Sequence, residues 1–474
     1  ENEALSETIG SNPSIAVLPF ESLSSDPEGD YFADGISEEI TNALARQRGL
    51  RVAARTSAFA FKGQQIDIRA IGQQLSVGHV VEGSVRRSEG ALRITAQLIN
   101  AQDGYHLWSE RFDRPHGEVF QIQEEIAAAV AQRLLEAVGA VAETKVPPAE
   151  LSAYDSYLKG RQDMAAFSPA NLARAVGHFE TAIGLDDRFA PALASLAEAL
   201  TMQSIGFSSH APIDTLPRAG RAATKALELD PQLPEAHLAQ ALYRMYWERD
   251  YLGAREALDR ALELNPNFAN AYLWAEFYAT YIEHDFQKAL ASLQQARELS
   301  PLDVRYRGRL GTVNMLFREY EEAERLFRGE MADDPTDPMH HIGLADTLLR
   351  SGRSREAVHH AEKALELGGG HPVFLGAACV FYGAGGAPEK AEDLLRRLEE
   401  LSSEGRGSSC WLGLTYAGLG RMDEAFASLT KAAEERDGSM IYFFHAPREL
   451  GLLRDPRFIP LLEELILGHL AQFI

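Results

Sequence analysis

Hydrophobic and polar residues follow two different periods along the chain, and the first of them occupies residues 14–140. Short apolar runs rich in β-branched residues at 14–20 and 50–55 predict strands. Between them, apolar residues recur at helical spacing and predict a helix within 32–47, through Ile36, Ile40 and Leu44. Nucleotide sites are often built on a strand, a loop and a helix in this order, so the loop after the first strand is a candidate nucleotide site.

The rest of this first region has the same mixed character. A second short helix is predicted at 67–75 and a longer one at 118–138. Three strand-like runs lie between them, separated by the turn sequences SEG and AQDG, at 79–87, 91–100 and 105–113. The pattern predicts an α/β domain over 14–140, a two-layer or three-layer mixed sheet with an antiparallel ribbon of three strands.

From about residue 150 the strand patterns disappear and a repeat begins. Helical segments such as ALELDP and ALELNP end at equivalent positions, which are Pro231, Pro266, Pro301, Pro335 and Gly369. Successive positions are 35, 35, 34 and 34 residues apart. A period of 34 residues with a proline after the helix is typical of the tetratricopeptide repeat, a helix pair that stacks on its neighbours.

Small residues within each period support this interpretation. Alanines recur where the second helix of each repeat must approach its neighbour, at Ala219, Ala254, Ala289, Ala323, Ala357, Ala391 and Ala425. We therefore predict an all-α solenoid of about eight repeats over 151–440, followed by a helical cap at 441–474 that covers the last apolar face. Residues 1–13 and 141–150 are predicted to be linkers.

Composition narrows the possible functions. The chain has 46 Lys and Arg against 69 Asp and Glu, a formal charge of −23, which argues against a nucleic-acid-binding role for this region. Its two cysteines, Cys379 and Cys410, provide no disulfide framework or cysteine-rich metal cluster, and we expect free buried thiols. Among the histidine doublets, only His341 and His360 are placed to meet across paired helices, and we expect packing rather than metal binding.

The sequence leaves the cellular location open. No apolar run reaches the roughly 18 residues that span a bilayer. The chain begins at Glu1 rather than Met, so we expect it to be part of a longer or processed protein. Both a cytoplasmic and a periplasmic location fit, and membrane contact is expected only through a segment upstream of this chain.

Several segments of the first region carry a family resemblance. The stretches SIAVLPFESLSSDPEGDYFADGISEEI (14–40), DIRAIGQQLSVGHVVEGSVRR (67–87) and RITAQLINAQDGYHLWSERFDR (93–114) resemble the TolB N-terminal-like domain of bacterial signalling proteins. In that family the domain follows an adenylate or guanylate cyclase domain or an OmpR-type winged-helix domain, often after a membrane helix, and precedes tetratricopeptide repeats. The resemblance implies a signalling protein whose output domain lies outside this chain.

The loop after the first strand does not suit a phosphate group. Residues 21–39 contain seven acidic residues, and no Lys or Arg occurs before Arg46, so an anion would be repelled. We expect three of the acids to complement the dipole of the following helix in its first turn, namely Asp34, Glu38 and Glu39. A divalent-cation site at Asp26, Glu28 and Asp30 is the less favoured alternative, because the length and final Glu of an EF-hand loop are missing.

A second candidate segment follows the second predicted strand. Two cations and two hydroxyls occur together there, at Arg55, Thr56, Ser57 and Lys62, a combination that suits an anionic ligand. The alternative is a structural loop whose two phenylalanines fill the core.

The strongest local bias is aromatic. Between Tyr243 and Phe286 lie 11 of the 41 aromatic residues in the chain. Some of them pack the repeat core, but the first helix of each repeat lines the concave face, where surplus aromatics supply binding energy. We predict a partner-binding groove at Trp247, Trp274, Phe277, Tyr278 and Tyr281, against the alternative that all of these rings serve the core.

No sequence motif supports catalysis. The chain has no Walker A sequence, no H-E-x-x-H pair and no nucleophile elbow, so we expect neither enzyme activity nor a cofactor or metal in this region. The predicted function is regulation through a protein or peptide partner bound in the repeat groove. Self-association, in which the partner is a second copy of the chain, is one form of this binding. The alternative is a small-molecule receptor that holds an anionic ligand at Arg55 and Lys62.

Overall fold

The computed structural model describes most of the chain. The described residues are 13–23, 29–47, 49–88, 91–115, 119–135, 151–165, 168–205, 210–303, 305–403, 408–446 and 448–473. Apart from Pro13, both predicted linkers lie outside them, and so do Asp26 and Glu28 of the alternative cation site.

The first region contains a single mixed sheet of six strands. The strands are β1 (Ser14–Val17), β2 (Glu21–Ser22), β3 (Arg51–Val52), β4 (His79–Ser88), β5 (Ala91–Asn100) and β6 (His106–Pro115). They are ordered β3-β1-β4-β5-β6, and β2 also pairs with β4. Strand β1 is parallel to β3 and β4, whereas β4, β5 and β6 form the antiparallel ribbon. The predicted mixed sheet with its ribbon is confirmed.

Helices cover both faces of this sheet. Ile15 and Val17 pack on one side with α1 (Gly29–Ala45) and α4 (Val119–Leu135). Ala16 and Val80 face the other side, where they meet α3 (Ile68–Leu75). Because β1 is apolar at successive positions rather than at alternate ones, it is covered on both faces, and the domain has three layers.

The predicted strand at 50–55 is shorter than expected. Strand β3 ends at Val52, and a short helix α2 (Arg55–Ala58) with a 3₁₀ turn at Phe59–Phe61 follows. The backbone N–H of Ala54 donates to the carbonyl of Leu299 at 2.6 Å, so contact with the second region diverts the chain from the sheet.

The second region consists of antiparallel helix pairs, as the repeat period predicts. The described residues form eight pairs: α5 (Leu151–Ala165) and α6 (Pro169–Leu185), α7 (Ala190–Ile205) and α8 (Pro212–Leu229), α9 (Pro234–Tyr243) and α10 (Tyr251–Leu264), α11 (Ala269–Tyr278) and α12 (Phe286–Leu299), α13 (Arg305–Leu316) and α14 (Tyr320–Asp333), α15 (Pro338–Arg350) and α16 (Ser354–Gly368), α17 (Pro372–Ala384) and α18 (Pro388–Ser403), and α19 (Ser409–Gly418) and α20 (Met422–Glu434). We number these pairs as repeats 1 to 8.

Two repeats contain one residue more than the two that follow them, and the structure shows where this residue is accommodated. Helix α9 continues as a π-helical turn over Arg244–Glu248, and α11 continues likewise over Ala279–Glu283. A π-turn accommodates one additional residue in a helix. These are repeats 3 and 4, the two that take steps of 35 residues in the sequence.

The last described segment folds back over the solenoid. It contains 3₁₀ turns at Gly438–His445, Arg448–Leu450 and Leu452–Arg454, then α21 (Phe458–Glu464) and a final turn at Gly468–Phe473. We call residues 438–473 the cap. Outside α21 its described turns are 3₁₀-helical.

The two regions share one hydrophobic core. Ile36 and Ile40 of α1 belong to the same buried cluster as Tyr154 of α5, Phe179 of α6 and Leu193 of α7. The α/β domain is therefore packed onto repeats 1 and 2 and is not joined to them by contacts at the surface alone.

Candidate functional site

Acidic residues of α1 meet basic residues from two other elements at the junction with the solenoid. The side chain of Glu38 is 4% exposed, and its carboxylate lies 2.9 Å from Arg55 Nε and also pairs with Arg161 of α5. Asp34 pairs with Lys62 at 2.5 Å. An anionic ligand would have to compete with these carboxylates, so Arg55 and Lys62 form no open anion site in this structure, and ligand binding there stays a prediction.

The expected role of these acids at a helix end also needs correction. Helix α1 begins at Gly29, so the acid in its first turn is Asp30. Asp34, Glu38 and Glu39 lie one turn or more further along, where the helix dipole has little effect. They are held by ion pairs and hydrogen bonds to other elements instead.

The two hydroxyls of the predicted ligand segment contact the fourth repeat. Thr56 Oγ1 lies 2.6 Å and Ser57 Oγ 3.1 Å from the hydroxyl of Ser300, and Leu302 N donates to Ser57 Oγ at 2.8 Å. Ser57 and Ser300 are both fully buried. The segment is therefore a docking latch between domain and solenoid, which is closer to the structural alternative.

A second docking contact lies one repeat earlier. The Asn267 side chain accepts a hydrogen bond from Val52 N at 3.1 Å and donates to the carbonyls of Ala45 and Leu50, each at 2.9 Å. One amide thus satisfies three backbone groups of the α/β domain, which fixes the domain on the loop between repeats 3 and 4.

A sequence signal for this docking exists. At the position before each helix-ending proline, repeats 2 and 5 have Asp230 and Asp334, whereas repeats 3 and 4 have Asn265 and Ser300. Asn265 and Ser300 are buried, and Asp334 is exposed. The loss of the charged residue marks the two loops that the α/β domain covers.

A carboxyl group with an altered pKa lies beside this junction. Burial, followed by the charge of Glu38, raises the pKa of Glu39 from 4.5 to about 7. Tyr157 donates its hydroxyl to Glu39 Oε1 at 3.3 Å, and Arg161 in turn donates to the Tyr157 hydroxyl at 3.3 Å. The proton occupancy of Glu39 therefore changes near neutral pH.

The structure brings four of the five predicted groove aromatics together in repeat 4. Ring centroids are 5.3 Å apart between Trp274 and Phe277 and 4.5 Å apart between Phe277 and Tyr281. Phe277, Tyr278 and Tyr281 are buried, with 8%, 5% and 4% of their surfaces exposed. These three rings are therefore not open to a groove in this structure. Phe277 and Tyr281 pack against each other, and Tyr281 also packs against His445 of the cap. Tyr278 donates its hydroxyl to the carbonyl of Tyr251.

The partly buried members are Trp274 and Trp247. Trp274 packs edge-on against Tyr246 at 6.2 Å. Trp247 lies apart from the repeat-4 rings, at the end of the π-turn in repeat 3, where Arg436 donates to its carbonyl and places its guanidinium 5.5 Å from the ring. Partner binding at these residues stays a prediction, and the tryptophans are the side chains that can make it.

The cap is held by residues in an unusual backbone conformation. Turns between paired helices place Gly352, Gly386 and Gly420 at positive φ in repeats 6 to 8, but the equivalent residues of repeats 3 to 5 are Arg249, His284 and Arg318, at φ of 56°, 53° and 70°. A non-glycine residue rarely adopts this region without a compensating contact. The first two of these side chains contact the cap region directly.

Arg249 donates from Nη2 to the carbonyl of Ala433 at 2.7 Å, just before the cap, and from Nη1 to Glu464 O at 3.4 Å. The His284 ring packs at 5.3 Å from His445 and 4.6 Å from Phe473. Sequence reasoning missed this arrangement, although the absence of glycine at three equivalent turn positions was visible.

A large cleft separates repeats 2 and 8. Its volume is about 570 Å³, within the range of ligand and peptide sites. Repeat 2 contributes Ser204 and the start of α8, and the opposite wall comes from Ser408, Ser409 and the end of α20, with Trp247 between the two walls. Repeats far apart in sequence face each other here. At one end the first residue of the cap packs closely on repeat 2, because a Cβ on Gly438 would lie 2.8 Å from the side-chain Cγ2 of Ile205.

The cleft combines an apolar surface with charged walls. Ile213 is 64% exposed, an unusual state for isoleucine, and lies in the lining together with Trp247. Ser408 and Ser409 donate to Asp437 and Glu435, at 2.6 and 2.7 Å. An extended chain with an apolar side chain would find both an apolar contact and polar partners here. We call this site the repeat 2–8 cleft.

The remaining candidates show no reactive arrangement. His341 and His360 do meet, with their Nδ1 atoms 3.0 Å apart, and burial lowers the pKa of His360 to about 4. Cys379 and Cys410 are free and buried, and burial raises the pKa of Cys379 to about 12. Within the described part of the chain, no group of three or more His, Cys, Asp or Glu side chains could hold a metal ion. No described helix is long and apolar enough to cross a bilayer.

Comparison with known families finds matches in both regions. Residues 11–129 match the family described as HilA/YgeH-like transcriptional regulator, second domain. Residues 283–338 and 408–437 match tetratricopeptide repeats. The chain thus has a domain similar to that of HilA-like regulators, followed by tetratricopeptide repeats, and the TolB-like assignment gains no specific support.

A curated relative is the "Putative adenylate cyclase 3" of Rhizobium meliloti (strain 1021). It is 37% identical over 247 residues, which are 51% of this chain and 41% of the relative. The match thus spans less than half of the relative's own length.

Solved structures also show similarity. A tetratricopeptide repeat protein from Parabacteroides merdae ATCC 43184 has 17% identity and a TM-score of 0.41, covering 56% of this chain and 99% of its own. YrrB, a tetratricopeptide repeat protein with an unusual peptide-binding site, has 22% identity and a TM-score of 0.29, covering 40% and 91%. TolB from Acinetobacter baumannii has 20% identity and a TM-score of 0.21, covering 27% and 29%.

Proposed function

We propose that this chain is a non-catalytic regulatory region of a bacterial signalling protein, and that it binds an extended segment of a partner protein in the repeat 2–8 cleft. The output domain would lie outside this chain and would be an adenylate or guanylate cyclase or a winged-helix transcription regulator. The HilA-like match favours the regulator, and the relative named as an adenylate cyclase favours the cyclase. Tetratricopeptide repeats commonly mediate protein interactions, which supports the binding role.

The observation that carries the proposal is the pair of Ile213, which is exposed, and Trp247, which is partly buried, in the lining of one cleft of about 570 Å³. Aromatic and apolar anchors at the centre of a concave site supply most of the energy of peptide recognition. Lys431 and Glu434 are both exposed in the same lining, and Lys431 is paired with Glu435. We therefore expect the bound segment to carry an apolar anchor next to a basic residue.

The site connects to the α/β domain through repeat 2. Helix α7 contributes Ser204 to the cleft and buries Leu193 and Ala197 in the core shared with the α/β domain. The hydroxyl of Ser204 also lies 2.5 Å from the hydroxyl of Thr215 on α8. A shift of α7 would therefore be transmitted to α8. A partner that prefers one position of α7 would thereby bias the α/β domain, in proportion to its difference in affinity.

The experiment is a peptide selection on the full chain. A random dodecapeptide library would be selected against the protein, and the site of the best binder mapped by amide hydrogen exchange. We expect protection at the start of α8 and at the start of α19. Protection confined to other repeats would contradict the cleft as the binding site.

The alternative of an anionic small-molecule receptor at Arg55 and Lys62 has no supporting observation. Both cations are already paired with carboxylates, and the neighbouring hydroxyls are used in docking. The TolB-like relationship of the α/β domain stays part of the proposal at the level of the quoted sequence motifs.

A further inference from the structure

A smaller cavity lies where the cap meets repeats 5 and 6. Its volume is about 90 Å³, and three guanidinium groups line it, together with one carboxylate, that of Glu449. The guanidinium groups belong to Arg318, Arg350 and Arg448, and Tyr320 adds a hydroxyl. With Asp346, which pairs with Arg350, three guanidinium groups face two carboxylates, a local excess of one positive charge in a chain with a formal charge of −23.

Several hydrogen-bond donors in this cavity are unused among the described residues. Arg350 binds Asp346 through Nε at 2.7 Å and Nη2 at 3.2 Å and donates from Nη2 to His445 O at 2.6 Å, which leaves Nη1 available. The guanidinium of Arg318 makes no ion pair with any described carboxylate. Guanidinium donors with vacant positions suit the oxygens of a phosphate group.

The backbone conformation of Arg318 also supports an anion-binding role for its side chain. Its φ is 70°, whereas the equivalent turn residues of the next three repeats are glycines at positive φ. An arginine in this conformation is strained, and strain of this kind is kept where the side chain has a task. The turn places the guanidinium in the cavity, where it touches no carboxylate that would account for it.

The two histidines at the cavity do not add to its charge. Burial, and then the charge of Arg318, lower the pKa of His284, and burial with His284 and Arg350 lowers that of His445. Both imidazoles are therefore neutral at pH 7. The positive charge comes from the arginines alone, and it is permanent.

We propose that this cavity, which we call the arginine pocket, binds one phosphate-class oxyanion between Arg318 and Arg350. The volume of about 90 Å³ is enough for a single tetrahedral ion. Arg318 and Arg350 belong to the solenoid, while His445 and Arg448 belong to the cap. An ion held between the two solenoid arginines would also face Arg448 of the cap, which lines the same cavity, and would therefore favour the packed position of the cap.

The test is calorimetric titration of the full chain with inorganic phosphate, in chloride buffer of matched ionic strength, with phosphoserine as a second source of the same group. We expect saturable binding and a higher melting temperature. Arg318→Gly should weaken binding at least about tenfold, the value of one charge-assisted hydrogen bond. Because glycine suits the turn, this variant should fold as well as the parent.

Arg297→Gln serves as the control, since Arg297 is an exposed arginine of α12 outside the pocket. It should bind phosphate like the parent. Phosphate should also slow amide exchange over 448–473 in the parent but not in Arg318→Gly. Preference for phosphate over phosphoserine identifies a free ion, and the reverse preference identifies a phosphorylated side chain. Absence of saturable binding, or equal weakening in both variants, would overturn the proposal.

Discussion

The carboxylate of Glu38, near the middle of α1, lies 2.9 Å from the guanidinium Nε of Arg55 in the docking latch. Arg161 of repeat 1 pairs with the same carboxylate, so one acid neutralises two cations from different parts of the fold. We predict that Glu38→Gln lowers the free energy of unfolding by about 3 kcal/mol, because two partly buried guanidinium groups lose their counterion.

Urea denaturation of the full chain measures this loss. Glu321→Gln removes an exposed acid from α14 and is the matched control, with an expected change within about 0.5 kcal/mol. Equal effects in the two variants would show that the Glu38 ion pairs contribute little.

Docking of the α/β domain should depend on Asn267. Asn267→Ala leaves the Val52 N–H and the Ala45 and Leu50 carbonyls without their partner, so we expect a loss of about 2 kcal/mol. Amide exchange at Val52 should accelerate by the factor that corresponds to this loss of free energy. Gln294→Ala, which removes one exposed hydrogen bond on α12, should leave that amide unchanged.

Stability should depend on pH through Glu39. Its pKa is raised from 4.5 in the unfolded chain to about 7 in the fold, so the folded state holds this proton more tightly. The contribution is fully present below pH 4.5 and is lost as pH rises towards 7. Between pH 5 and 7.5 the parent should therefore lose stability relative to Glu39→Gln.

The measurement is the urea midpoint of both proteins across this range. Glu256→Gln, an exposed acid on α10, is the control and should follow the parent. A Glu39→Gln variant with the same pH dependence as the parent would contradict the pKa assignment.

The cap should loosen when Arg249 is removed. Arg249→Gly relieves the backbone strain at φ 56° but loses the hydrogen bonds to Ala433 and Glu464. Because strain relief offsets part of the lost bonding, we expect a change of about 1 kcal/mol in global stability. Amide exchange in α21 should nevertheless increase clearly. Exchange in α21 that matches that of an Arg260→Ala control would show that the cap is held by other contacts.

The fold was largely predictable, because both sequence periods are strong and independent of context. The six-stranded mixed sheet and the helix pairs follow from alternation and from the 34-residue step, and the two steps of 35 residues correspond to the π-turns. Local patterns could not show which surfaces meet. Arg55 and Lys62 resemble a ligand segment because the carboxylates that neutralise them lie about 17 to 28 residues earlier in the chain.

The aromatic groove illustrates the same limit. The sequence places Phe277, Tyr278 and Tyr281 on a helix that lines the concave face, but it does not show that these rings are buried or that the cap returns to pack on Tyr281. Tyr281→Ala, expected from sequence to weaken partner binding, should instead lower stability by about 3 kcal/mol, because a buried aromatic ring is lost. Of the five residues, Trp247 alone reaches the repeat 2–8 cleft.

The central claim is that a partner segment binds in this cleft and contacts Trp247. The most direct test is the affinity of a selected peptide for the parent, for Trp247→Ala and for the control Trp411→Ala, which alters a partly buried tryptophan outside the cleft. We predict that Trp247→Ala weakens binding at least about thirtyfold, the value of a hot-spot aromatic, while Trp411→Ala leaves it unchanged. Equal affinity of the parent and Trp247→Ala would contradict the account.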